Sequence, residues 1–285
     1  MLAALTIAAA IVLFGLTPAI PQDPAYHGFA DARRLLGIPN ALNVLSNLPF
    51  VAVGAAGLAR LRHRYPAGGL RPAYAAFFLG VLLTGFGSGY YHLAPANGPL
   101  VWDRLPMTIG FGGLFAIVVG EFVSVPSARR LLVPMLVVFP ATVLYWAMTE
   151  SQGGGDLRPY AFAQFVPMLL AAAIVATRRP SRPLRGRFAL MIACYVLAKF
   201  AEHLDAGILF ATGGAISGHT LKHLLAAAAS AILLQALPRP ASAGSSQAPA
   251  DAHTVSIISS SPASRNFGGP LTRSSRDSSG ESPGQ

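Results

Sequence analysis

Residues 218–234 read GHTLKHLLAAAASAILL, a run whose polar side chains are concentrated in its first six residues. Beyond them every residue up to 236 except Ser230 and Gln235 is apolar. The run therefore approaches the roughly 20 residues that a membrane-spanning helix needs. Residues four apart lie on one face of a helix, so His219 and His223 project together. The stretch predicts a membrane helix that presents two imidazoles near one end.

Apolar runs of similar length recur along the chain of 285 residues. Hydrophobic residues make up 53% and charged residues only 11% of it, with a mean hydropathy of +0.52, whereas a soluble domain carries roughly 25% charged residues. We predict an all-α polytopic membrane helix bundle with a seven-helix core and an extra N-terminal helix. The eight predicted spans lie near residues 3–20, 43–60, 72–92, 105–122, 131–149, 160–177, 188–210 and 218–236.

Basic residues are distributed unevenly between the predicted loops. The loops after spans two, four and six hold eleven arginines, and the opposite loops hold four arginines against five acidic residues. The positive-inside rule then places the arginine-rich loops and both termini in the cytoplasm. The net charge of +10 therefore indicates topology, and we expect no nucleic-acid partner. We expect an integral protein of a bacterial inner membrane; the sequence does not indicate its oligomeric state.

Three segments of different character divide the chain. Residues 1–22 form the extra N-terminal transmembrane helix, which we interpret as uncleaved because it lacks the positive n-region of a signal peptide. Residues 23–237 form the seven-helix domain. Residues 238–285 are rich in Ser, Pro and Gly with few apolar residues, so we predict a disordered tail.

Polar residues from three spans reach the same depth in this topology. Span three ends outside with His92, and Ser88 lies one turn deeper on the same face. Asp103 precedes span four at its outer mouth, and span eight begins outside with His219 and His223. Ionisable groups inside a bilayer are costly and therefore indicate function. We predict one site at the outer side of the membrane.

Three imidazoles with an open fourth position are the ligand set of a catalytic zinc site. Cys194 is the one cysteine in the sequence, which excludes a thiolate cluster. A proton relay remains an alternative, and a haem site would leave the third histidine and Asp103 without a role. In span seven we interpret Lys199 and Glu202 as a structural ion pair, and Asp205 as a residue that holds a ligand histidine.

The stretches SGYYH (residues 88–92) and GHTLKH (218–223), with Asp103 between them, resemble the alkaline ceramidase family, part of a superfamily of seven-helix membrane hydrolases similar to adiponectin-type receptors. The stretch NVLSNLPF (43–50) resembles the first core helix of that family, and the resemblance covers roughly residues 26–236. The residues that match the family pattern are Ser88, His92, Asp103, His219 and His223.

The resemblance implies zinc-dependent hydrolysis of a lipid amide, an N-acyl sphingoid type, to fatty acid and free amine. Zinc would lower the pKa of bound water from about 16 towards about 7. Asp103 would act as general base and acid. Ser88 would hydrogen-bond the substrate carbonyl or oxyanion. Ser230 lies seven residues after His223 and therefore on the same face of span eight, which makes it a second candidate for the oxyanion. The eukaryotic calcium-binding segment is not well matched by residues 28–43, which lack Glu and contain Arg33 and Arg34, so calcium regulation is doubtful.

Two other function classes fit the same residues. A non-enzymatic membrane receptor would seal the histidines and Asp103 between helices. A proton-coupled transporter would use the polar residues of span seven with the histidines as a relay. A lipid-sized cavity lined by Asp103 would favour the enzyme.

Overall fold

The computed structural model describes residues 2–63, 69–180 and 184–237. Within these residues the chain is helical, and its one β pairing is an isolated bridge between Leu35 and Ile38. The helices are α1 Leu2–Ala10, α2 Ala41–Leu45, α3 Leu48–His63, α4 Arg71–Leu93, α5 Asn97–Phe122, α6 Val125–Ser151, α7 Arg158–Thr177, α8 Arg185–His203, α9 Asp205–Ala211 and α10 Gly218–Ala236. A π-helical segment, Ile11–Gly15, continues α1, and Pro24–His27 form a short 3-10 helix.

Five helical stretches of the described ranges are long and apolar enough to cross a membrane. They are Ala41–Arg62, Arg71–Leu93, Asn97–Phe122, Val125–Ser151 and Arg158–Thr177. This confirms the prediction of an all-α membrane bundle. The seventh predicted span, 188–210, is not one helix: α8 ends at His203 and α9 begins at Asp205. The eighth predicted span is α10, and both spans carry charged or imidazole side chains. The predicted tail, 238–285, lies outside the described residues.

The first helix is shorter than the predicted span 3–20. The apolar helical stretch ends at Gly15, and at 1.5 Å per residue its length is about 21 Å, against about 30 Å for the bilayer core. Pro18 and Pro21 explain the early end, because a residue that precedes proline is biased away from the helical conformation.

A close approach between α4 and α5 positions the site. A Cβ atom added at Gly80 would overlap the backbone of Gly110, and one added at Gly87 would overlap the carbonyl of Trp102. Only glycine therefore allows the two backbones to lie so near each other at these points. Since α4 ends in His92 and α5 carries Asp103, this contact brings the two side chains to the same end of the bundle.

Candidate active site

Three histidines meet between the end of α4 and the beginning of α10. Nε2 of His92 lies 3.3 Å from Nε2 of His219, and the ring centroids of the three residues are 4.8 to 4.9 Å apart. Each ring is at most 5% exposed. One nitrogen from each of His92, His219 and His223 lies within 4.8 Å of the others, an arrangement that could hold a metal ion. The residues predicted from separate helices therefore form one cluster.

The donor set fits a tetrahedral metal ion. Two nitrogens bound at 2.0–2.1 Å to a tetrahedral ion are about 3.3 to 3.4 Å apart, which matches the distance between His92 and His219. Nε2 of His219 also lies 3.1 Å from Nζ of Lys222; an ammonium group only donates, so this nitrogen carries the one lone pair that a metal ion would take in place of the Lys222 contact. Nδ1 of His223 contacts the Ser46 hydroxyl at 2.8 Å, which leaves its Nε2 for the cluster.

The first turn of α10 is held in place by Asp205 and Ser217. Asp205 Oδ1 accepts a hydrogen bond from the backbone N–H of His219 at 2.7 Å, and its Oδ2 accepts one from the N–H of Ala30. The Ser217 hydroxyl accepts from the N–H of Thr220, as an N-cap does. The prediction that Asp205 holds a ligand histidine is thus realised through the histidine's backbone and not through its ring.

Asp103 and Ser88 line a cavity beside the histidines. This cavity has a volume of about 320 Å³ and is also lined by His223. The Ser88 hydroxyl and the Asp103 carboxyl group thus face the same space. Asp103 lies in the second turn of α5, because that helix begins at Asn97, eight residues earlier than predicted. Pro99 allows the early start, since the first turn of a helix tolerates a missing N–H.

Lys222, Lys199 and Glu202 form one ion-pair network on the opposite wall of the cavity. Lys199 Nζ lies 2.7 Å and Lys222 Nζ 2.8 Å from the Glu202 carboxylate. The predicted pair of Lys199 and Glu202 is present, and Lys222 joins it. One carboxylate thus holds two ammonium groups, one of which contacts His219.

Ser230 lies in a second cavity. This cavity, of about 140 Å³, has an almost wholly apolar lining that includes Phe77, Leu114 and Ser230. The Ser230 hydroxyl donates to the carbonyl of Ala226 on its own helix. Ser230 is absent from the lining of the cavity that contains Asp103, so its predicted role at the oxyanion stays a prediction.

The match to a known family covers most of the region that builds this site. Residues 37–238 match the family model described as Ceramidase. The chain belongs to the ceramidase family. Membership makes it a membrane amide hydrolase that acts on a carbon–nitrogen bond of a lipid. No curated protein and no solved structure matches the chain in the corresponding searches.

Residues 28–43 of this ceramidase-family chain use side-chain oxygen atoms in internal hydrogen bonds. Both carboxylate oxygens of Asp31 accept hydrogen bonds from Arg33, and these bonds hold the pKa of Asp31 below its usual value. Oδ1 of Asn43 accepts from Thr220, and Nδ2 of Asn40 donates to the carbonyl of His92. The segment therefore contacts α4 and α10, the helices that carry the three histidines, and the oxygens of Asp31 and Asn43 already have partners.

Ser46 contacts the histidine cluster through His223; sequence reasoning did not single it out, although it lies in the matched stretch NVLSNLPF. The Ser46→Ala variant is expected to bind metal about 10- to 100-fold more weakly, because outer partners of ligand histidines fix the tautomer and orientation of the ring. Metal affinity measured by competition with a chelator checks this. Ser151→Ala is the matched control, because its hydroxyl bonds only the carbonyl of Met148 at an exposed helix end. Equal affinities of wild type and Ser46→Ala would remove Ser46 from the site.

Proposed function

We propose that this ceramidase-family chain is a zinc-dependent hydrolase that cleaves an N-acyl lipid amide, of the N-acyl sphingoid type, to a fatty acid and a free amine. The observation that carries the proposal is the cluster of three buried imidazoles, one of which, His223, lines a cavity together with Asp103 and Ser88. The rival receptor predicts a sealed site, whereas here the carboxylate of Asp103 lines open space of about 320 Å³.

Zinc is the metal that this donor set favours. Catalytic zinc sites use three protein ligands, often all histidine, and leave one position open. His92, His219 and His223 would hold the ion. When bound, zinc supplies Lewis acidity, which makes water available as a nucleophile near neutral pH.

Asp103 is the proton-transfer residue of the proposed mechanism. Its carboxylate accepts a proton as water attacks the amide carbonyl, and the same carboxyl group returns a proton to the nitrogen of the departing amine. Ser88 lines the cavity together with Asp103, and its hydroxyl has one proton to donate. That proton would go to the oxygen of the amide carbonyl as negative charge develops there.

The apolar cavity suggests where the acyl chain lies. It shares five lining residues with the polar cavity, namely Phe50, Thr84, Met107, Tyr195 and Ala226. An amide placed beside Asp103 could thus extend its chain between α4, α5 and α10 without exposing methylene groups to water. Burial of such groups stabilises binding by about 0.8 kcal/mol per CH₂.

We also propose the predicted domain boundaries and orientation, with the site facing the periplasm. The arginine-rich loops of the sequence support this, because such loops stay in the cytoplasm. A reporter fused after Arg182 is expected to read as cytoplasmic; an external signal would invert the orientation and place the site on the cytoplasmic side.

The substrate class is tested with a panel of lipids that share one acyl chain. Purified full-length protein, supplied with zinc, is expected to release fatty acid from N-acyl sphingosine and other N-acyl amines, detected by mass spectrometry. Esters with the same acyl chain are expected to be hydrolysed at a different rate from the amides, because the leaving amine of an amide must be protonated. Release from none of the amides, with zinc bound, would contradict the amidase and favour the receptor.

A further inference from the structure

Arg104 is a buried cation that the mechanism above does not use. The sequence suggested an arginine in an outer loop, but the residue lies in α5, directly after Asp103, and only 5% of its surface is exposed. It lines the same cavity as Asp103 and Ser88. Burial of a guanidinium group is costly unless charge and hydrogen bonds are matched. Its position therefore calls for a ligand or a partner.

The partners that Arg104 has are neutral. Its Nη2 donates to Oε1 of Gln22 at 2.7 Å. The guanidinium carbon lies 4.4 Å from the ring centroid of Trp146 and 5.0 Å from that of Tyr160. Nη1 has no hydrogen-bond partner among the described residues. The ion pairs found in the described part of the chain do not include Arg104. The aromatic rings orient the guanidinium group, but among the described residues its Nη1 has no hydrogen-bond partner and its charge has no ion pair.

Nearby carboxylates are already engaged. Glu150 accepts hydrogen bonds from the N–H of Gln22 and from Nε1 of Trp146. Glu202 is shared by two lysines, and Asp103 forms no ion pair with Arg104 in the described part of the chain. Of the described side chains that line the cavity, three are cationic and two are carboxylates. The cavity thus carries an excess of positive charge, which a bound divalent ion would increase.

We propose that Arg104 binds an anionic group on the amine side of the substrate. The preferred substrate is then an N-acyl lipid whose head group carries a carboxylate, phosphate or sulfonate. Arg104 lines the polar cavity but not the apolar one, so a molecule with its chain in the apolar cavity would place its head group, and not its tail, near the guanidinium. This inference rests on the proposed function, because that function sets where the amide lies.

Two amides that differ in one group test the proposal. N-oleoylglycine and N-oleoylethanolamine share chain and amide, and their head groups are a carboxylate and a hydroxymethyl group. Wild-type protein is expected to show a higher kcat/KM for the acid. In Arg104→Gln the ratio of the two kcat/KM values is expected to fall by about 10- to 100-fold, the size of a charge-assisted hydrogen bond. Arg34→Gln, which removes an exposed arginine, is the control and should keep the wild-type ratio.

Each other outcome decides against the proposal. A wild-type ratio at or below one would overturn it, and so would an equal loss of both activities in Arg104→Gln, which indicates a packing role. The fatty-acid product also carries a carboxylate, and inhibition by oleate tests whether Arg104 binds that product. If Arg104→Gln relieves inhibition by oleate while the substrate ratio is unchanged, the residue binds the fatty-acid product and the head-group assignment is wrong.

A binding measurement keeps this test separate from the proposed function. If wild-type protein hydrolyses neither amide, the amidase proposal fails for these lipids, and ligand-induced thermal stabilisation is compared instead. Stabilisation by N-oleoylglycine above that by N-oleoylethanolamine, lost in Arg104→Gln, supports anion binding. Equal stabilisation by both lipids in the wild type contradicts it.

Discussion

The His219→Ala variant is expected to lose its bound metal and its amidase activity together. His219 offers one of three imidazole nitrogens that lie within 4.8 Å of one another, and two remaining ligands hold zinc poorly because catalytic sites use three. The loss of metal affinity should exceed the roughly 10- to 100-fold loss expected when an outer partner of a ligand is removed. Metal content by mass spectrometry and fatty-acid release, measured on the same preparation, check both halves.

His203→Ala is the matched control for this variant. His203 ends α8 and is exposed, so its removal should change neither metal content nor activity. A His219→Ala protein that keeps a full metal complement would show that the ion is bound elsewhere. One that loses the metal and keeps its activity would show that hydrolysis does not need it.

Asp103→Asn is expected to keep its metal and lose about 10²- to 10⁴-fold in kcat, the usual contribution of general acid–base catalysis. The amide has nearly the shape of the carboxyl group, so the cavity is retained, but the side chain no longer accepts a proton from water. The measurement is kcat together with metal content, which distinguishes a lost proton acceptor from a lost ligand.

Asp23→Asn serves as its control, because Asp23 is an exposed residue that caps the 3-10 helix through the N–H of Ala25, a role that Asn performs equally well. An Asp103→Asn protein within about threefold of wild type would exclude proton transfer by this carboxylate as the basis of the rate.

The spacing of the histidines and the predicted orientation of the helices were enough to predict the residues at the centre of this site. The helical repeat placed His219 and His223 on one face, and loop charges put His92 and Asp103 at the same depth. The structure brings the three histidines into one cluster with Asp103 beside it. These residues could be found because each lies at the end of a long apolar run, where the direction of the chain follows from topology.

The residues that support the cluster could not be found in the same way. Ser46 contacts a residue 177 positions away, and the Lys222 contact with Glu202 depends on how α8 packs against α10. Arg104 resembled a loop residue because the first turns of α5 are polar and contain proline. Tertiary packing decides such contacts, whereas the apolar pattern determines only which segments are helices.

Metal analysis of the purified wild-type protein tests the central claim most directly. The three histidines predict about one zinc ion per chain. A chelator is expected to remove this ion and the amidase activity, and added zinc is expected to restore both. Retention of that zinc in a variant without His92, His219 and His223, or full activity of a zinc-free wild type, would contradict the account.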